Sequence, residues 1–325
     1  VNYAFHRLAR SAPKYAWWKA IVTGLIALGI YVVFTVIITV AMLIASFLDV
    51  GGVAAQFETL LFEGTIDNSQ PVILAFSLAT VALMLPSIIL ARLIMGPRPL
   101  GLISSVAGRL RWRWLGRLAL PAIVVFAVTF GLQLFAIPPL FGDEIVGPQI
   151  GANTVALIIV TLLLVPVQAT AEEYVFRGYL MQAIGGWLKH PAWAILLPVP
   201  LFMAGHIYDI WGLLDVGVFA VFAGWLVWRT GGLEAAIAAH VVNNGVIFLL
   251  AAVGMVDANT SEGTPFGVIA TAITLGLFSW WVVRMHTRLG LERVRVVREP
   301  IPADVSVQVE STPLSDSDGS EPRNL

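Results

Sequence analysis

VALIIVTLLLVPVQATAEEYVFRG, residues 155–178, decides how the chain must fold. Val155 to Val167 carries no charge, and Glu172, Glu173 and Arg177 follow within one helix length with apolar residues around them. An uncharged run of this kind reads as part of a membrane span. Ionisable groups at its end are costly in hydrocarbon unless they pair with one another or serve a function.

The whole chain carries the same signature. Of its 325 residues 58% are hydrophobic and 12% charged, against about 45–50% and 25% in soluble proteins. The reading is an integral, multi-pass membrane protein, in the plasma membrane if the source is bacterial. A formal charge of -1 gives no basic excess for nucleic acid. The absence of cysteine removes disulfides, thiolate ligands and a cysteine nucleophile together. Any catalysis must come from His, Glu, Asp or Ser. No Gly-rich phosphate loop, GxSxG elbow or HExxH zinc helix occurs.

The 19 Lys and Arg fall in five clusters, Arg7 to Lys19, Arg92 to Arg117, Arg177 with Lys189, Arg229 alone, and Arg284 to Arg323. Each interval between clusters holds two apolar runs joined by an acidic or neutral segment. The positive-inside rule turns this into an all-α bundle of about eight transmembrane helices with both termini cytoplasmic. The expected spans are Ala20–Leu48, Val72–Met95, Leu118–Ile137, Ala152–Gly185, Ala192–Ile207, Gly212–Trp228, Leu233–Val253 and Phe266–Val283. The first is read as a retained span rather than a cleaved signal. The organisation is then a basic N-terminus (1–19), three helices with a basic loop at 96–117 (20–151), a core of helices four to seven (152–253), an eighth helix (254–284) and a largely disordered cytoplasmic tail (285–325). Ser104 to Arg117 reads either as a basic amphipathic helix on the inner leaflet or as a plain positive-inside loop. Asp49 to Gln70, with four carboxylates and no basic residue, reads as a solvated loop rather than a cation site.

Few strongly polar side chains remain at membrane depth: Gln133, Gln168, Glu172, Glu173, Arg177, His206, Asp215, His240, Asn243 and Asn244. At 1.5 Å per residue, Glu172 and His206 lie roughly 21 to 23 Å from the turn at 186–191 that joins their helices. His240 and Asn244 lie about 14 and 20 Å in from Gly231 on the same side. Groups from three helices therefore arrive at similar depth, which points to a shared interior pocket. Glu173 and Arg177, four apart, can pair on one face, while Glu172 is turned about 100° away and left free. His240 and Asn244 share a face, and Phe202, one turn before His206, can wall the pocket. Asn243 points away from Asn244 and is left out of the candidate site. A carboxylate beside a histidine can hold and deprotonate a water. An amide and a second imidazole can donate to a developing oxyanion. These are the parts of an amide hydrolase.

The three motifs EExxxR (Glu172 to Arg177), FxxxH (Phe202 to His206) and HxxxN (His240 to Asn244) stand in order on successive spans. With them the chain resembles the CPBP intramembrane proteases, which include the CAAX prenyl endopeptidases and bacterial relatives linked to bacteriocin immunity. The resemblance covers about Ala152 to Val253. It implies Glu172 and His206 as the water-activating pair, His240 and Asn244 as transition-state stabilisers, and Glu173, Arg177 and Phe202 as supporting residues. It also implies a peptide or lipidated-protein substrate. Family members have been called metalloproteases, and Glu172, His206 and His240 would be the ligands of Zn2+ or another divalent metal. The metal-free reading is favoured because Asn244 is a poor zinc ligand and a good oxyanion donor. Two other functions fit the same residues: a proton- or cation-coupled transporter using the carboxylates as a relay, and a non-catalytic scaffold or immunity protein whose pocket is vestigial; Glu173 with Arg177 also reads as a buried ion pair that fixes helix packing.

Overall fold

The computed structural model describes residues 1–50, 53–55, 62, 64, 66–142 and 144–297. Helices dominate: α1 Trp17–Phe47, α2 Pro71–Met95, α3 Trp112–Phe141, α4 Thr154–Trp187, a short α5 Pro191–Met203, α6 Ile210–Thr230, α7 Glu234–Ala252 and α8 Pro265–Arg288. Seven of these are long and apolar enough to cross a membrane. Their outward faces expose Leu25, Val36, Ile123, Leu163 and Ile273, the surface that a bilayer rather than water would cover. The chain is a multi-pass integral membrane protein.

The short helix is where the structure departs from eight full spans. Ala192–Ile207 is expected as one span, but helix runs only over Pro191–Leu196 and Pro198–Met203, with a break at Leu197. Pro198 and Pro200 supply no backbone N–H and crowd the preceding turn, so the hydrogen-bond ladder cannot run through. The all-α expectation holds apart from one ribbon: β1 Asn2–Ala4 pairs antiparallel with β2 Val294–Val296, Asn2 opposite Val296. Residues 285–297, placed by the sequence reading at the start of the tail, thus finish α8 and form β2. The rest of that tail, Asp143 and, in the 49–70 loop, residues 51–52, 56–61, 63 and 65 lie outside the described residues.

At the centre stands α7. Its first turns, Glu234-Ala-Ala-Ile-Ala-Ala-His240, are buried throughout, because four alanines let α3, α4 and α6 approach closely. On α6 the small residues Gly217 and Gly224 receive α5: a Cβ at Gly224 would sit 3.2 Å from Ile195 Cγ2, and one at Gly217 3.1 Å from Met203 Sδ.

Residues 104–111 form no surface helix. Gly101 and Gly108 pack backbone to backbone, so that a Cβ on Gly101 would run into the Gly108 carbonyl, and Gly108 has φ +70°. The loop folds inward instead, burying Leu102, Ile103, Ser105 and Val106. It bonds both helices that carry the polar cluster. Val106 N donates to Gly231 O and Leu233 N to Ser104 O, each at 2.9 Å. Ser104 Oγ meets the Tyr174 hydroxyl at 2.8 Å, and Gln182 Nε2 donates to Leu102 O at 2.7 Å. Arg111 clamps the first residue of α7: its Nε and Nη2 donate to Glu234 Oε1 and Oε2 at 3.0 and 2.7 Å. Glu234 is wholly buried, so Arg111→Ala leaves a carboxylate without its counter-charge and is expected to cost about 3–5 kcal/mol. Thermal unfolding in detergent should show a clearly lowered midpoint; an unchanged one would mean that the clamp does not hold α7.

Candidate active site

The polar cluster forms where α4 changes its winding. The helix is regular to Glu173 and then widens into π turns over Tyr174–Leu180, a distortion that often marks functional positions in helices. Arg177 still reaches back one turn, and its Nη1 donates to Glu173 Oε1 at 2.9 Å, the pair that the spacing predicts. His240 on α7 points between the two carboxylates, with Nδ1 2.8 Å from Glu173 Oε1 and Nε2 3.3 Å from Glu172 Oε2. Glu173 is fully buried, and Arg177 and His240 nearly so. The Nδ1 contact is a hydrogen bond, and Nε2 faces Glu172 at ion-pair distance. Pairing of this kind lets ionisable groups share a dry interior.

A second polar line approaches Glu172 from the other side. Asn243 Nδ2 donates to Asn244 Oδ1 at 3.1 Å, Asn244 Nδ2 to Gln168 Oε1 at 3.3 Å, and Gln168 Nε2 to Glu172 Oε2 at 2.8 Å. Three amides thus donate in one direction and end on the carboxylate, each polarising the next. Among the described residues Glu172 Oε1 has no protein partner, and 11% of the Glu172 side chain reaches the surface. Asn244 keeps one amide hydrogen free.

Aromatic rings line the cluster. Arg177 lies over Phe202 at 4.3 Å, Phe202 meets Phe176 edge-on at 5.0 Å, and Phe219 sits 4.9 Å from the His240 ring. Rings there exclude water and strengthen the charge pairs beside them. Phe202 touches both imidazoles, at 5.0 Å from His206 and 6.1 Å from His240. His206 follows the end of α5, where the chain tightens, and its Nδ1 bonds Phe202 O at 2.9 Å. A carbonyl can only accept, so Nδ1 bears the hydrogen and Nε2 of the neutral ring is the free lone pair.

The structure therefore brings Glu172, Glu173, Arg177, His240, Asn244 and Phe202 together. It leaves His206 joined to them through the Phe202 ring rather than hydrogen-bonded to Glu172. Sequence reasoning passed over three contributors. Asn243 was discarded on its 100° turn from Asn244, but neighbouring amides reach each other. Phe219 gives no signal in an apolar helix. Tyr208 packs 5.6 Å from His206, and partial desolvation, then the charges of Glu172 and Asp215, push its hydroxyl up; it follows His206 in a stretch expected to be only a connection. Gln168 is among the polar residues at membrane depth, and its position one turn before Glu172 is the clue to its contact with that carboxylate.

Among the described residues no three His, Asp or Glu side chains are grouped to hold a metal ion. His240 has both nitrogens turned to carboxylates and His206 has one on a carbonyl. As arranged, Glu172, His206 and His240 do not fit a zinc centre of three protein ligands.

Comparison with known proteins places this geometry. The chain is 25% identical over 237 residues, 70% of its own length and 75% of the relative's, to a Bacillus subtilis (strain 168) protein described as "Uncharacterized protein YyaK". No solved structure matches it. Residues 151–246 match the family model described as type II CAAX prenyl endopeptidase Rce1-like. All the polar side chains that converge on Glu172, and all the rings around them, fall inside that match, so the chain carries a domain of the Rce1-like type II CAAX prenyl endopeptidase family.

Proposed function

We propose that this protein is an intramembrane endopeptidase that hydrolyses a peptide bond of a membrane-associated or lipidated substrate, with Glu172 as the base. One observation carries the reading: Gln168 Nε2 donates to Glu172 Oε2, His240 Nε2 faces the same oxygen at 3.3 Å, and Oε1 is left open. A water on Oε1, with His206 Nε2 as its second partner, gives a proton to Glu172 as its oxygen bonds to the scissile carbonyl carbon. The displaced electron pair moves to the carbonyl oxygen, which the free Asn244 hydrogen and His240 Nε2–H receive. The C–N bond then breaks, and the proton on Glu172 passes to the leaving amine. Glu173 and Arg177 are positioning residues, since both act through His240. No step needs a metal.

The strand pairing supports the membrane topology. β1 and β2 lie on one side of the bilayer because they pair, so the chain between them makes an even number of crossings. We read the short α5 as the eighth crossing beside the seven long helices of the described residues, and the clusters of Lys and Arg favour cytoplasmic paired ends.

The test is cleavage of a quenched fluorescent peptide ending in an isoprenylated cysteine motif, by purified protein in proteoliposomes made with 18O water. One 18O in the new carboxyl group is the expected product. No cleavage of lipidated or plain peptides under any lipid condition would refute the assignment. Asn244→Ala should lower kcat by about 10²–10³ with KM little changed; an equal fall in both binding and turnover would place Asn244 in substrate binding instead.

A further inference from the structure

An apolar hollow lies away from the polar cluster. It is a groove of about 910 Å³ between α5, α6 and α8, almost entirely apolar, with Phe222, Trp225 and Trp280 along it. Gly276 forms part of its floor, and a Cβ there would meet nothing within 4 Å. From Gly276 to Arg288 the groove follows α8 for about 18 Å, the reach of an extended acyl chain.

One end differs from the rest. Arg284, Thr287 and Arg288 close it, all three exposed. Arg284 stacks over Trp280 at 5.2 Å, and neither arginine has an ion-pair partner among the described residues. Two guanidinium groups four residues apart on one helix face match the oxygens of a phosphate, while the Thr287 hydroxyl donates back to Val283 O. A zwitterionic headgroup would bring its own cation against them, and an anionic one would not. An apolar trough of chain length that ends in two free cations and an interfacial tryptophan is the form of a site for a lipid with a net negative headgroup.

We propose that this groove binds one anionic phospholipid, with an acyl chain along α8 from Gly276 and its phosphate held by Arg284 and Arg288. The inference stands apart from the cleavage reading and is tested without activity. Its one link to the polar cluster is Ile195, which lines this groove and also the small cavity bordered by Arg177 and Phe202. A bound chain therefore buttresses α5, the helix broken by prolines.

Native mass spectrometry of the full chain, solubilised with phosphatidylglycerol or with phosphatidylcholine, reads the occupancy. The wild type should retain one phosphatidylglycerol in strong preference to phosphatidylcholine. Arg284→Gln/Arg288→Gln should weaken phosphatidylglycerol retention by about 30-fold, while Arg113→Gln, an exposed charge on α3, should leave it unchanged. Gly276→Leu, which fills open space without a clash, should lower retention of either lipid. Equal retention of the two lipids by the wild type would overturn the assignment, as would a double variant that retains phosphatidylglycerol undiminished. Displacement of the lipid by a stoichiometric farnesylated peptide would also overturn it and give the groove to the substrate.

Discussion

Glu173→Gln is expected to abolish measurable cleavage and to destabilise the protein by about 3–5 kcal/mol. Glu173 Oε1 accepts from both Arg177 and His240, at 2.9 and 2.8 Å. Removing its charge strands a guanidinium and an imidazole where the surrounding groups are apolar rings, and His240 loses the partner that aims Nε2 at Glu172. Structural and positioning roles can be separated by neutralising the pair. Glu173→Gln/Arg177→Met removes both charges and should recover a good part of the lost thermal stability, since a buried pair is often replaceable by apolar residues. It should not recover turnover, because His240 remains unaimed. Recovery of both together would mean that the pair serves packing alone.

Glu172→Gln carries the second large effect, a fall in kcat of roughly 10²–10⁴-fold with the fold intact. The amide keeps the volume of the carboxylate and can still accept on its oxygen, but it cannot take a proton from water. Glu172 is less deeply buried than Glu173 and makes no ion pair with Arg177, so stability should change far less than in Glu173→Gln. The comparison of the two neighbours is informative in itself. Unfolding midpoints and kcat should move together for Glu173 and apart for Glu172; a Glu172→Gln variant of normal turnover would remove the base from the account.

The membrane spans were legible because hydropathy and charge asymmetry are local, one-dimensional signals. Pro191–Met203 shows the limit: its composition is that of a span, and its prolines at 198 and 200 break it. The loop at 100–111 was not legible. Its arginines fit a surface helix or a plain loop equally well, and its conformation is dictated by partners far away in sequence, Glu234 for Arg111 and Gly231 for Val106. In the polar cluster, spacing along one helix settled the Glu173–Arg177 pair. Spacing could not decide which histidine meets Glu172, because that depends on how α5 and α7 rotate about their axes. The break at Leu197 and the back-bond from His206 to Phe202 turn one imidazole away, and the alanine-packed start of α7 brings the other in. Phe219 and Tyr208 carry no motif, and only the packing of α6 against α5 and α7 brings them to the site.

The central claim is that Glu172 and His240, 3.3 Å apart, work as one catalytic unit. Single-turnover cleavage of the isoprenylated peptide by Glu172→Gln, His240→Ala and the double variant tests it most directly. Groups that act together are not additive, so the double variant should cleave within about tenfold of the slower single one. Losses that multiply, taking the double variant down by the product of the two single effects, would show two independent contributions and contradict the account.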